Sequence, residues 1–425
     1  VTTVASTTPV VHTITEVPRK WKTSIVLSVL ALVAFVVFGL LGDAREALIV
    51  FSEKSDAIVL PDMPVTSKAL CLVIGVLLLV LAAVAVWMTV RRRPVPMWLV
   101  IAFTVLFLIT LVTYTGAGSK IPVVFLISGS IALATPVVFG ALAGVIGERV
   151  GVVNIAIEGQ LLAGAFVSAV VASITDNLVL GLVAALFGGA LVSVVLAAFS
   201  IKYLVDQIIV GVVLNALVIG LTNFFYAAVL NDNSSETNFP GTLPFLPIPL
   251  LSDIPVIGAV LFDQRITTYL MFILVPLVWF ILFKTKIGLR IRAVGEHPLA
   301  ADTVGINVNR TRFWTVTIAG TIAGLGGAAL TLGSVGAFVR EMSAGQGFIA
   351  LACVILGRWN PWLAALAALL FGFSKNFRIF AGQTGADIPP DLIAMVPYLV
   401  TLVAVAGLVG RVVGPAAAGK PYVKQ

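Results

Sequence analysis

Glu148, Arg149, Asn154, Glu158 and Gln160 crowd into one stretch, GALAGVIGERVGVVNIAIEGQLLAG over 140–164, whose flanks are strongly apolar. Carboxylates, a guanidinium and carboxamides in such a setting can line a path for a polar solute, or can pair with one another in a turn. They cannot face lipid. On insertion scales a charge at the centre of a span costs about 2.5–3.5 kcal/mol, whereas each Leu or Ile returns only about 0.3–0.6 kcal/mol. Three charges between positions 148 and 158 therefore outweigh their apolar neighbours and must face protein, water or the cytoplasm. Gly147, Gly151 and Gly159 favour a break in the helix here, with Asn154 a candidate N-cap for the helix that follows. Two readings stay open: a discontinuous helix beside a translocation path, or a polar turn between spans in which Glu148 and Arg149 pair with each other or with neighbours.

A second interruption lies in 333–373, where two short apolar pieces meet at Gly357-Arg-Trp-Asn-Pro361 and neither makes a comfortable separate span. Interrupted segments in matching positions of two halves point to internal inverted repeats with the path between them. Trp359 and Trp362 read most simply as interfacial belt residues. Gln207, Asn215 and Asn223 recur at eight-residue spacing and can share a helix face, either lining a water-filled path or hydrogen-bonding between helices. The Gly140/Gly144 and Gly320/Gly324 pairs read as close helix packing.

From Lys284 to Arg312 six basic and two acidic residues force the chain into water. Its centre, Gly295 to Gly305, has the marks of a short helix. Pro298 suits the first turn, Glu296 sits near the positive end of the dipole, Ala300 and Ala301 favour helix, and Gly305 can end it in the left-handed region. A rigid two-turn helix on a cytoplasmic loop is what a membrane subunit needs to receive motion from a separate motor; a turn that merely tidies the loop is the plainer alternative. The chain itself offers no motor. Gly414 to Lys420 imitates a phosphate-binding loop, but Pro421 replaces the required Ser or Thr and neither strand nor helix flanks it. With His only at 12 and 297 there is no convincing catalytic set and no metal cluster, so energy must come from a partner or a gradient.

The elements that position these residues are helices in lipid. With 60% hydrophobic and 11% charged residues the chain carries more apolar surface than a water-soluble fold of its size could hide, which predicts an all-α polytopic membrane protein with about ten transmembrane helices, broken or re-entrant segments and an inverted repeat. Spans are predicted near 23–42, 69–90, 97–115, 122–146, 161–175, 178–201, 207–230, 267–283, 313–332 and 391–410, with the broken pair between 347 and 380. Asp43-Ala-Arg-Glu after the first run is not a cleavage site, so that run should remain as an anchor. The predicted organisation is a cytoplasmic tail (1–22), an N-terminal membrane extension (23–120), a core (121–410) and a cytoplasmic tail (411–425).

With the N-terminus inside, inner segments hold sixteen basic residues and outer segments eight, as the positive-inside rule requires of a multi-pass inner-membrane protein with both termini cytoplasmic. The formal charge of +7 does not imply nucleic acid, because the basic residues gather between spans rather than on one soluble face. Cys71 and Cys353 lie in apolar runs and read as free thiols. The gap at 231–266, with Pro240, Pro244, Pro247 and Pro249, reads as a structured external loop without regular helix, a docking surface or a plain connector.

Three stretches carry a family likeness: GERVGVVNIAIEGQLLAGAF (147–166), AVGEHPLAADTVGINVNRTR (293–312) and GFIALACVILGRWNPWLAALAALLFGF (347–373). Together they resemble the bacterial ABC importer permeases of the branched-chain amino acid, ribose and nucleoside group, most of all the nucleoside-type members. The likeness covers about two-thirds of the chain, from Ile121 to Gly410, and leaves the first 120 residues without a role. Ala156 stands where that subgroup usually has Gly. The resemblance implies a transport subunit rather than an enzyme, with no cofactor of its own. ATP and Mg would act on two cytoplasmic ABC ATPases, beside a homologous second permease and an external lipoprotein that captures a nucleoside. It further implies that Gly295, Glu296, Pro298, Ala300, Ala301 and Gly305 form the coupling helix that contacts the ATPase, while Asn154 and Glu158 match the family signature and, with Gln207, Asn215 and Asn223, are candidates for the path. A gradient-driven transporter or channel, or an ABC permease for a sugar such as ribose, are the alternatives.

Overall fold

A bilayer core about 30 Å thick asks for roughly 20 helical residues per crossing, and among the described residues ten helices are long and apolar enough. The computed structural model describes residues 21–52, 58–230, 234–384, 395 and 413–424. The predicted span at 391–410 lies outside the described residues apart from position 395, as does the tail before Trp21.

The chain divides into two compact units. The first takes Val1–Glu46 and Thr66–Ala117 and holds α1 (Trp21–Val33), which continues as wider turns over Ala34–Leu40, then α2 (Ser67–Val90) and α3 (Met97–Thr115). Leu27, Ala31, Leu78, Ala82, Leu99 and Phe103 form its core. Two of its buried hydroxyls meet across α1 and α2: Ser24 Oγ lies 2.7 Å from Thr89 Oγ1 and donates to the Ala85 carbonyl.

The second unit takes Ala47–Val65 and Gly118–Gln425. The otherwise helical chain has a small sheet here, β1 (Glu46–Val50), β2 (Met63–Thr66) and β3 (Lys120–Pro122) in the order β2-β1-β3, with Ile49 opposite Ile121 in a parallel pairing. After β3 come α4 (Val123–Arg149), α5 (Ile157–Thr175), α6 (Leu178–Ala197), α7 (Gln207–Phe225) and the single turn α8 (Ser234–Thr237). An antiparallel ribbon follows, β4 (Phe245–Pro247) with β5 (Asp263–Arg265). The chain then forms α9 (Ile266–Lys284), α10 (Lys286–Glu296), α11 (Pro298–Thr303), α12 (Val308–Leu330), α13 (Gln346–Leu356) and α14 (Pro361–Gln383). Several starts are set by one polar residue just ahead of an apolar run. Asn177, Asp206, Asn307 and Asn360 each accept a backbone N–H at the head of α6, α7, α12 and α14.

Two expectations change. The 231–266 segment is not free of helix, since it contains α8 and the ribbon, and it is tied down by Asn238, whose side chain donates to Phe338 O (2.9 Å) and accepts from Phe338 N (2.7 Å). The two pieces of 347–380 are also unequal. α13 has 11 residues, but α14 runs 23 residues and is a full crossing. It does not stop at the polar Ser374-Lys-Asn step because Asn376 Nδ2 donates to the Phe125 and Leu126 carbonyls, so the amide is satisfied inside the bundle.

The same contacts fix helix directions. Arg149, at the end of α4, reaches Trp359 just before α14, while Asn376 far along α14 reaches the start of α4, so the two are antiparallel. The start of α12 lies at the same end as the close of α4, with Arg312 beside Gly151 and, further along, Gly326 beside Pro136. α4 and α12 thus also run in opposite senses, and each is followed by a break and two further helices, α5 of 19 residues and α6 in the first case, α13 of 11 residues and α14 in the second. α12 is the most enclosed of the span-length helices among the described residues. Its Gly320 and Gly324 lie directly on Ser193, Gly189 and Ala185 of α6, small residues letting two backbones approach where apolar burial gives no net drive. A side chain at Gly324 would fall on the Ala185 carbonyl oxygen. Gly324→Leu should therefore cost about 3 kcal/mol or more and cut the yield of monodisperse protein on size-exclusion chromatography at least about tenfold.

Candidate functional site

Helix cannot continue through Val150–Ala156, where Gly151 adopts φ +92°, yet this backbone is buried and its polar groups need partners. α7 supplies them. Gln207 Oε1 accepts from Val153 N–H (2.8 Å), while Asn215 Nδ2 donates to Ile155 O (2.9 Å) and Asn215 Oδ1 accepts from Gly159 N–H (2.8 Å). Their eight-residue spacing does put both on one face, and that face binds the break. Asn154 is fully buried and makes a reciprocal amide pair with Gln160 (3.0 and 3.1 Å), which also donates to Ser193 Oγ at 2.7 Å. Asn154 is therefore not the N-cap of α5: that position is Ala156, with no side-chain cap. Asn223 stands at the other end of α7, donating to Glu341 at 3.3 Å, where Arg340 stacks on Tyr226. Nothing in GSVGAFVREMS beyond the charges of Arg340 and Glu341 signals these contacts with α7 and Tyr226.

Glu158 joins the two breaks. Its carboxylate, 4% exposed, accepts from Gly345 N–H (2.7 Å) and Gly347 N–H (2.6 Å) at the head of α13, where the amides and the dipole favour an anion. A second link lies at the opposite end of α13. Glu148 Oε2 accepts from the Trp359 indole N–H, and Arg149 Nε donates to Trp359 O at 3.1 Å. Glu148 and Arg149 thus clamp the 357–360 turn instead of pairing with each other. Trp359 is no lipid-facing belt residue, because its ring N–H has a carboxylate partner within the protein.

The same end carries the 284–312 segment, which holds more helix than its sequence suggested. α10 is a complete amphipathic helix ending at Glu296, and α11 follows with Pro298 at its first position and Gly305 at φ +85° just beyond its end. Glu296 does not cap α11. Its carboxylate accepts from Ala416 N–H (3.2 Å), and Gly295 O accepts from Ala417 N–H (2.9 Å). Gly295 is pressed so closely on the Arg149 carbonyl that no Cβ fits. Gly419 N–H reaches Gly151 O (3.3 Å), and Arg312 Nη1 donates to Lys420 O at 2.9 Å. The C-terminal segment therefore straps α10, the first break and α12 together, and its phosphate-loop look-alike uses its amides for this. Ala301 is buried at 3% exposure, so its small side chain packs into this chain and is not offered to a partner's groove. Leu299, Ala300 and Val304 are the exposed apolar residues here, with Thr303 exposed beside them.

A model of the branched-chain amino acid transport system permease component matches residues 126–405, the span that contains both breaks, the 284–312 segment and α14. The chain belongs to that permease family. The guanosine ABC transporter permease protein NupQ of Bacillus subtilis is 40% identical over 313 residues, covering 70% of this permease and 96% of the relative. The nucleoside ABC transporter permease protein NupC of Lactococcus lactis is 37% identical with the same coverage. The putative glucose ABC transporter permease protein TsgC13 of Haloferax volcanii is 37% identical over 63% of this chain and 80% of its own length. No solved structure gives a significant match. This permease is accordingly a multi-pass membrane subunit of an ABC transporter, a transport component rather than an enzyme. Within it, Trp359→Phe removes one hydrogen bond to a carboxylate, worth about 1.5–3 kcal/mol. The melting temperature of the purified permease should fall by several degrees, whereas Trp362→Phe, whose exposed ring has no such partner, should leave it unchanged.

Proposed function

We propose that this permease is the membrane subunit of an ATP-driven importer for nucleosides. An external binding lipoprotein delivers the nucleoside, two ABC ATPases on the cytoplasmic side bind and hydrolyse ATP with Mg, and a homologous second permease completes the path. The observation that carries the reading is α11, a short helix that exposes Leu299 and Ala300, with Val304 just after it, on a base strapped through residues 416–419 to the first break. Lys284, Lys286, Arg290, Arg292 and Arg310 surround it, which supports a cytoplasmic position for this end and for the C-terminal strap.

Closure of the ATPases on nucleotide displaces α11. Gly295, seated on Arg149 and strapped to Ala417, passes the displacement to the first break, and Glu158 passes it to the second. In this reading Asn154, Gln207 and Asn215 keep the break in shape beside the path, and Asn223 with Glu341 stands at its outer mouth. The B. subtilis and L. lactis relatives support a nucleoside as cargo. A sugar is the second reading, favoured by the TsgC13 likeness. Uptake of labelled guanosine, ribose and glucose in a strain lacking the gene, with and without the cloned gene, separates them. Guanosine uptake that requires both this permease and an ATPase competent to hydrolyse ATP is the expected result. Transport of sugar alone, or uptake indifferent to an inactivated ATPase, would refute it.

A further inference from the structure

Beside the coupling segment, α9, α10 and α12 enclose an open groove of about 800 Å³. Its walls are apolar over most of their length, with Leu274 and Ile322 at one extreme and Ile287 and Ile291 near the other. Along α12 it runs from Arg310 to Ile322, about 18 Å at 1.5 Å per residue, close to the roughly 15 Å hydrocarbon depth of a single leaflet. Both cations of the lining, Arg290 and Arg310, fall at the α11 end, with Asn307 and Thr311 beside them, and no acidic side chain lines the groove.

Among the described residues neither guanidinium has a hydrogen-bond or ion-pair partner. Among the described residues the only ion pair is Arg45 with Asp43. Neighbouring cations rest on rings, Lys284 over Trp279 and Arg292 over Phe283, which leaves Arg290 and Arg310 exposed at the lip. Trp314, one turn along α12 from Arg310, is 56% exposed and lies where an interfacial aromatic belongs. α10 has the character of a helix lying in the interface, with Lys286 and Arg290 exposed beside the exposed apolar Ile287 and Leu289. An acyl-length apolar trough ending in two uncompensated guanidiniums matches one occupant, an amphiphile with an anionic phosphate head. The cytoplasmic leaflet supplies such lipids.

We propose that this groove binds an anionic glycerophospholipid, its phosphate held between Arg290 and Arg310 and one acyl chain laid along α9 and α12. Because Val304, Gly305 and Ile306 form part of the same wall, the bound lipid braces the segment immediately after α11 and tunes its stiffness.

Native mass spectrometry of the detergent-purified full chain, titrated with phosphatidylglycerol or phosphatidylcholine, tests this without any transport assay, so its failure is distinct from failure of the importer reading. Phosphatidylglycerol should bind at least about tenfold more tightly to the native chain than phosphatidylcholine. An Arg290→Gln, Arg310→Gln double variant should lose that preference, and the Arg290→Lys, Arg310→Lys variant should retain most of it. Both arginines are exposed, so folding should survive, and a size-exclusion profile verifies this. Ile318→Trp, which fills the trough and leaves the arginines in place, should weaken binding as well. Equal affinity for the two lipids, or an unchanged preference in the glutamine variant, would overturn the proposal. So would a glutamine variant that keeps its phosphatidylglycerol preference and loses only its ATPase, since the arginines would then belong to the protein interface.

Discussion

Glu158→Ala is expected to reduce substrate uptake by at least about tenfold and to lower the melting temperature of the purified permease. Two amides, Gly345 N–H, which is half-buried, and Gly347 N–H, which is buried, lose their acceptor. A buried unsatisfied donor costs about 1–3 kcal/mol, so the pair together threatens a few kcal/mol at the joint between the two breaks. Tenfold in rate or affinity needs only about 1.4 kcal/mol. Glu158→Gln should be intermediate, because its carbonyl oxygen can serve one amide while its NH₂ confronts the other. Uptake and thermal stability of the Ala variant equal to those of the native permease would show that this carboxylate does not hold the breaks together.

Coupling should fail most completely when the exposed face of α11 is altered. Leu299→Asp puts a charge where an apolar side chain is 52% exposed, and Ala300→Trp adds bulk on the exposed side of the helix. Neither touches the buried side, so membrane insertion and melting temperature should stay as in the native permease. Burying an unpaired charge in a partner's groove costs several kcal/mol, and uptake together with ATPase co-purification should fall by about 100-fold for the double variant. Ala301→Trp makes the contrasting control. Ala301 packs inside the chain, so this variant should be unstable instead of stable and uncoupled.

The parts of the fold written in strong local signals were legible in the sequence. Charges at 148–158 inside apolar flanks announced the first break, because lipid excludes them at any tertiary arrangement. The likeness of the coupling segment was equally plain, with Pro298 and Gly305 marking the two ends of α11. What failed to show depended on partners distant in sequence. Asn154 has the residue type of a cap, but Gln160 and Ser193 take its amide first. Trp359 looks like a belt residue until Glu148, 211 positions away, is brought to its ring N–H. α14 continues past its polar step only because α4 offers carbonyls to Asn376. The orientation of Ala300 outward and Ala301 inward is invisible in a pair of identical residues, and the exposure of Leu299 and Val304 follows from it. The strap had no signal beyond small residues, since it works through backbone amides.

The claim on which the rest depends is that α11 meets a nucleotide-hydrolysing partner from the cytoplasmic side. Leu299→Cys in membrane vesicles, probed with a membrane-impermeant maleimide, measures it directly, and the native Cys71 and Cys353 are buried and give little background. Labelling in inside-out vesicles stripped of the ATPase, protection on adding the ATPase back, and no labelling in right-side-out vesicles is the predicted pattern. Labelling from the periplasmic face, or labelling that the ATPase leaves unchanged, would contradict it.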